Sequence, residues 1–104
     1  MTEDRNMVAT RLLMENDKVK IWEMRLQPGE RGELHSHKYD HVLVQISGDR
    51  MAVEPHPTTK SIYKDYTEGD VVPGRVFFTE KGGVETAYNV GKEPFYEIVI
   101  ELKE

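Results

Sequence analysis

Three of the chain's four histidines fall within GELHSHKYDHVLVQISG, residues 32–48, at positions 35, 37 and 41. Neutral imidazole is the commonest protein ligand for transition metals, so the spacing asks whether one ion can be shared. His35 and His37 have the same parity. On a strand both rings point to one face, with Cα atoms about 7 Å apart. His41 has that parity too, but on a straight strand it lies about 13 Å from His37, too far to share an ion bound at about 2 Å. A bend over Lys38, Tyr39 and Asp40 is required to bring it in, and Asp is a residue that turns accept. Two readings are open: a shared metal site, or a surface HxH pair with His41 a hydrogen-bonded core histidine.

The elements that must position these residues read as short strands. In VKIWEMRL, Trp22, Met24 and Leu26 alternate with Glu23 and Arg25, the period of two of a strand with one buried face. HVLVQIS stops at Gly48 and Asp49, and RMAVE follows. SIYKDY, VFFTE, ETAYNV and FYEIVIEL continue the series, bounded by EGDVVPG, KGG and GKEP. Only the N-terminal stretch admits a short helix. Seven or eight strands with regular turn signals predict an all-β sandwich or barrel. There is no internal repeat and no linker.

Composition narrows the partners. The 104 residues make one domain, able to bury about 60–65% of the surface its unfolded form exposes. The net charge of −5 is spread along the chain with no basic block, which argues against nucleic acid or an anionic membrane as partner. The chain has no cysteine, which excludes disulfides and thiolate metal sites and suits a reducing compartment. The charged start MTEDRNMVATRL is unlike a secretory signal, and no apolar run approaches the roughly 20 residues of a membrane span. A soluble, cytoplasmic protein is the expectation.

The spacing also resembles that of the cupin superfamily. Its first motif, GxxxxxHxHxxxExxxxxxG, is matched by Gly29, His35, His37 and Gly48, with His41 where the Glu is usual. Its second, GxxxxxPxGxxHxxxN, is matched in spacing by Gly74, Gly82 and Asn89, with Glu80 in the place of Pro and Glu85 in the place of the last ligand histidine. The resemblance runs from about Val19 to Leu102 and implies a double-stranded β-helix, or jelly-roll, barrel as a single domain over residues 1–104, with motif one at 29–48 and motif two at 74–89. It also implies a metal set of His35, His37, His41 and Glu85. This is the family's inventory of three imidazoles and one carboxylate with two positions traded, and it leaves a divalent ion at net +1. The opposing reading is a site destroyed by both changes. Asp40 is a fallback carboxylate, although its parity points it away from the imidazoles.

Nitrogen and oxygen donors without sulfur suit Fe, Mn, Ni or Co with open positions, and Zn as well. On the His35 face, Leu43 and Gln45 are expected to line the interior, with Trp22, Met24 and Leu26 from an earlier strand and Tyr96, Ile98 and Ile100 from the last. Trp22, Gln45 and Tyr96, which need polar partners if buried, are the candidate substrate-binding residues. His56, between two prolines, is expected in a solvated loop. The expected activity is that of a metal-dependent enzyme, a dioxygenase or an isomerase or lyase, on a small organic-acid or amino-acid-like ligand. The alternative is a binding or accessory protein with a structural or vestigial metal. A homodimer is expected, because the two-faced apolar strand FYEIVIEL reads as an edge that must be covered.

Overall fold

A computed structural model describes residues 8–103. Among them there are nine strands and no helix: β1 Arg11–Glu15, β2 Val19–Leu26, β3 His35–Ser36, β4 His41–Ser47, β5 Arg50–Pro55, β6 Thr67–Asp70, β7 Val76–Thr79, β8 Val84–Asn89 and β9 Phe95–Leu102. They form a five-stranded sheet in the order β1-β2-β9-β4-β7 and a four-stranded sheet in the order β3-β8-β5-β6, with every pair antiparallel. No helix is long and apolar enough to cross a membrane.

Local chemistry explains most of the boundaries. Gly48, which ends β4, has φ +138°, and a Cβ there would lie 3.0 Å from the Phe95 ring. Glycine is therefore required twice over, by backbone and by packing. Gly74 opens the turn into β7 at φ +89°, another conformation that L side chains rarely adopt. Asn89, the last residue of β8, is fully buried because its side chain closes a loop: Nδ2 donates to the carbonyls of Leu26 and Glu93, and Oδ1 accepts from the Gly91 N–H. The second motif thus ends on a residue whose work is structural.

Two apolar clusters lie against the inner face of the five-stranded sheet: Met24, Leu26 and Phe95 with Val71, and Trp22 and Val99 with Val8. Trp22, Met24 and Leu26 point inward as their alternation predicts. The last strand corrects its expected parity. On β9 the buried residues are Phe95, Glu97, Val99 and Glu101, while Tyr96, Ile98 and Ile100 lie half-buried on the outer face. Both parities of FYEIVIEL are largely apolar, so alternation alone does not choose, and the register with β2 places Glu97 beside Met24 and Val99 beside Trp22.

Three further expectations change. SIYKDY is not a strand; β6 begins only at Thr67. Its turn is built by Thr59 and Ser61, whose hydroxyls accept the N–H groups of Ser61 and Tyr63 and so give the backbone an alternative to a ladder. The N-terminal stretch that admitted a helix is strand β1 over residues 11–15, paired to β2 with a bulge between Leu12 and Met14, while residues 1–7 lie outside the described residues. Strand β9 is not an edge but the centre of its sheet, between β2 and β4.

Candidate metal centre

His35 opens β3 and Glu85 lies on β8 as its register partner, so both side chains project from the same side of the four-stranded sheet. His37, two residues after His35, keeps that side because the ladder continues past β3: its N–H donates to Gly83 O, and its carbonyl accepts from the Gly82 N–H. The chain then leaves the sheet. Residues 37–40 are irregular, with a bend at Tyr39, and His41 begins β4 in the opposite sheet. The bend that the spacing demands is present, and it brings His41 onto His37 with ring centroids 3.9 Å apart and planes at 16°. Asp40 faces away, its Oδ1 accepting the Lys81 N–H, and so pins this crossover to the turn before β8.

The three histidines are buried. His35 Nδ1 lies 3.0 Å from Glu33 O, and His41 Nδ1 lies 3.0 Å from Tyr39 O. A carbonyl only accepts, so each Nδ1 carries the proton and each Nε2 presents a bare lone pair, the tautomer a metal ligand needs. His37 Nε2 lies 3.5 Å, and His35 Nε2 3.9 Å, from Glu85 Oε2. Ligand atoms of His35, His37 and Glu85 all lie within 4.8 Å of one another. Two donors bound to one ion at about 2.1 Å stand roughly 3.0–3.4 Å apart at octahedral or tetrahedral angles, so with small side-chain rotations these three could hold a common ion. His37 Nδ1 is buried without a hydrogen-bond partner, so this ring, unlike those of His35 and His41, is not oriented by a backbone carbonyl. His41 stands outside the three-residue cluster, stacked on His37 instead of converging with it.

The electrostatics agree with a cation site. Burial holds the His35 imidazole below its ordinary range, and the neighbouring His37 adds to the effect. Burial does the same to His41. Both rings are therefore kept neutral. Burial opposes ionisation of Glu85, but its hydrogen bond to His37, helped by whatever positive charge the neighbouring rings take up on protonation, holds the carboxyl below the usual range. Neutral imidazoles beside an ionised carboxylate are the donor set of an oxygen- and nitrogen-ligated divalent metal.

The triad borders a cavity of about 310 Å³ between the two sheets, walled by Leu43, Phe77, Met51 and Val53. Gln45 lines it as expected. Trp22 does not. Its indole N–H donates to Glu101 Oε1 at 2.8 Å inside the core, so its polar atom is already satisfied. Tyr96 does not either, because it lies on the outer face with the Arg25 guanidinium 3.9 Å above its ring. Tyr88 is likewise covered by Arg31, at 3.8 Å. His56 sits in a loop, paired with the Thr58 hydroxyl. The residue that sequence reasoning missed is Glu97, buried on the cavity wall. The signal was there: glutamates at 97 and 101 share one parity of an otherwise apolar strand.

No protein-family model matches the chain, and no curated protein does. Solved structures do. A cupin domain from Bordetella pertussis Tohama I superposes with a TM-score of 0.74 at 20% identity, over 95% of this chain and 100% of that one. The fold is the cupin double-stranded β-helix. An RmlC-like cupin family protein from Methanocaldococcus jannaschii gives a TM-score of 0.72 at 14% identity, covering 99% of this chain and 86% of its own. A cupin superfamily protein from Desulfitobacterium hafniense DCB-2 gives 0.65 at 19%, over 99% and 84%. At these identities the likeness carries the cupin fold and no activity. The case for a metal rests on the residues of this cupin barrel themselves.

Proposed function

We propose that this cupin is a metal-dependent enzyme acting on a small organic-acid or amino-acid-like metabolite. The observation that carries the reading is the juxtaposition of His35, His37 and Glu85 on the wall of a cavity of about 310 Å³. That volume suits a small metabolite and not a polymer. His41 joins as the fourth ligand through its bare Nε2, by unstacking from His37. A bound divalent ion supplies Lewis acidity toward a substrate carbonyl or carboxylate, or, if redox-active, a site for oxygen chemistry.

The chain's own residues supply the remainder. Glu33 O and Tyr39 O orient two imidazoles by accepting their Nδ1 protons, and Leu43, Phe77, Met51 and Val53 give the cavity apolar walls beside the triad. Glu97, buried on the cavity wall, supplies a carboxyl suited to holding or moving a proton. Protein loaded separately with iron(II), manganese(II), cobalt(II), nickel(II) and zinc(II) and offered pools of small acids tests the reading. Oxygen uptake with iron alone identifies a dioxygenase; substrate loss without oxygen uptake identifies an isomerase or lyase. No turnover with any metal, together with retained metal binding, selects the accessory-protein alternative.

A further inference from the structure

The cavity has a second polar group, on the sheet that does not carry the triad. Gln45 on β4 and Glu97 on β9 are register partners, both more than nine-tenths buried and both lining the cavity. Met24 flanks Glu97 from β2, and Leu43, Phe95 and Val99 complete an apolar frame. The Gln45 amide has a fixed orientation. Val72 N–H donates to its Oε1 at 2.9 Å, and since a backbone N–H cannot accept, the oxygen faces Val72 and the Nε2–H₂ group is left over. Among the described residues the Glu97 carboxyl makes no hydrogen bond; burial, with the Glu85 charge adding, pushes it up to about 8. The carboxyl and the free amide N–H₂ open onto the cavity, so whatever occupies it there is what completes them.

We propose that Gln45 and Glu97 together bind a carbonyl oxygen at the far end of a small carboxylate ligand whose acidic end lies at the His35, His37 and Glu85 cluster. The placing of the acidic end rests on the metal reading above; the carbonyl recognition rests on the Gln45 and Glu97 pair alone. Nε2–H and the carboxylic O–H are both donors, and a carbonyl oxygen has two lone pairs to receive them. An ammonium end fits worse, because the N–H₂ of Gln45 would face it donor to donor. The ligand class is thus a short oxo acid.

The test is calorimetric titration of manganese-loaded protein with 4-oxopentanoate and 5-oxohexanoate, each against pentanoate and hexanoate, and with 4-aminobutanoate. One oxo acid is expected to bind about tenfold tighter than its saturated counterpart, the gain of two neutral hydrogen bonds. Gln45→Leu and Glu97→Leu, each removing one of the two hydrogen bonds, are each expected to lower that ratio to about threefold, and the double variant to bring it close to one. Glu97→Gln, which keeps a donor and protects the test should the leucine variants not fold, is expected to preserve the full ratio. Equal affinities in the unsubstituted protein, no binding of either oxo acid, preference for 4-aminobutanoate, or an unchanged ratio in the folded leucine variants overturns the proposal. Manganese content, measured first, judges the metal reading separately. If none is bound, the same comparison on metal-free protein, by thermal shift, reads the Gln45 and Glu97 pair alone.

Discussion

His35 and Glu85 face each other across the β3–β8 ladder as register partners, 50 residues apart in the chain, with Nε2 and Oε2 3.9 Å apart. One backbone pairing therefore sets the spacing of an imidazole and a carboxylate that belong to the two separate motifs. A slip of one residue would send Glu85 to the opposite face, so the site depends on register as much as on residue type. The turn at Gly82, with φ +108°, and the His37 and Gly83 backbone bonds hold that register.

If positions 41 and 85 carry traded ligands, as the resemblance implies, they can be traded back. His41→Glu with Glu85→His should retain more metal than either single change, because only the double variant keeps three imidazoles and one carboxylate. The singles leave two imidazoles with two carboxylates, or four imidazoles with none. Metal content of the four proteins, read as a double-mutant cycle, checks this.

Acid should strip the metal and destabilise the fold together. His35 and His41 titrate below their unfolded value of 6.5 because burial disfavours the charged ring. The unfolded chain therefore takes up protons first as pH falls below about 6.5, so stability is fully present above that value and is lost progressively below it. Metal competes with those same protons. Melting curves from pH 8 to 4, with and without a chelator, should converge at the acid end; a chelator without effect at pH 7.5 would mean that the ion contributes little to folding.

Glu97 has the opposite effect on stability. Its folded value of about 8 lies above the reference of 4.5, so the unfolded chain gives up a proton more readily and the folded state loses stability as pH rises from about 4.5 to 8. Glu97→Gln should therefore stabilise the protein by a few kcal/mol at pH 8 and by almost nothing at pH 4. Denaturant unfolding at the two pH values measures the difference, and an equal effect at both would show that folding does not displace the Glu97 carboxyl from its ordinary range.

Much of this was legible in the sequence, for identifiable reasons. Trp22, Met24 and Leu26 alternate with charged residues, which fixes their face; Gly29, Gly48 and Gly74 stand where φ is positive, which fixes the turns. The 35/37/41 spacing demands a bend, and residues 37–40 supply it. What was not legible depends on the partner strands. β9 is apolar on both parities, and only its pairing on both sides decides that the face with Glu97 and Glu101 is internal. That is why Tyr96 was expected in the pocket and Glu97 was not. Trp22 was expected to need a ligand for its N–H; Glu101, 79 residues away, is its partner.

The homodimer remains an expectation, with its basis moved from an edge to a face. Ile21, Ile100, Val42 and Phe78 are successive register partners across β2, β9, β4 and β7 on the outer side of the five-stranded sheet. Phe78 is 61% exposed and Val76 58%. An apolar row that spans four strands is a surface that a second copy can cover. Light scattering at micromolar concentration should give twice the chain mass, and Phe78→Glu should shift the protein toward monomer without altering metal content.

The central claim is that Glu85 is the anionic ligand of an ion shared with His35 and His37. Elemental analysis of the protein, Glu85→Ala and Glu85→Gln, all loaded with the same metal and dialysed against the same weak chelator, tests it most directly. The account predicts near-stoichiometric metal in the unsubstituted protein and at least a tenfold loss in both variants, since changes even to residues behind a ligand typically cost 10–100-fold in affinity. Equal metal content in all three would contradict it and leave a site made by histidines and water.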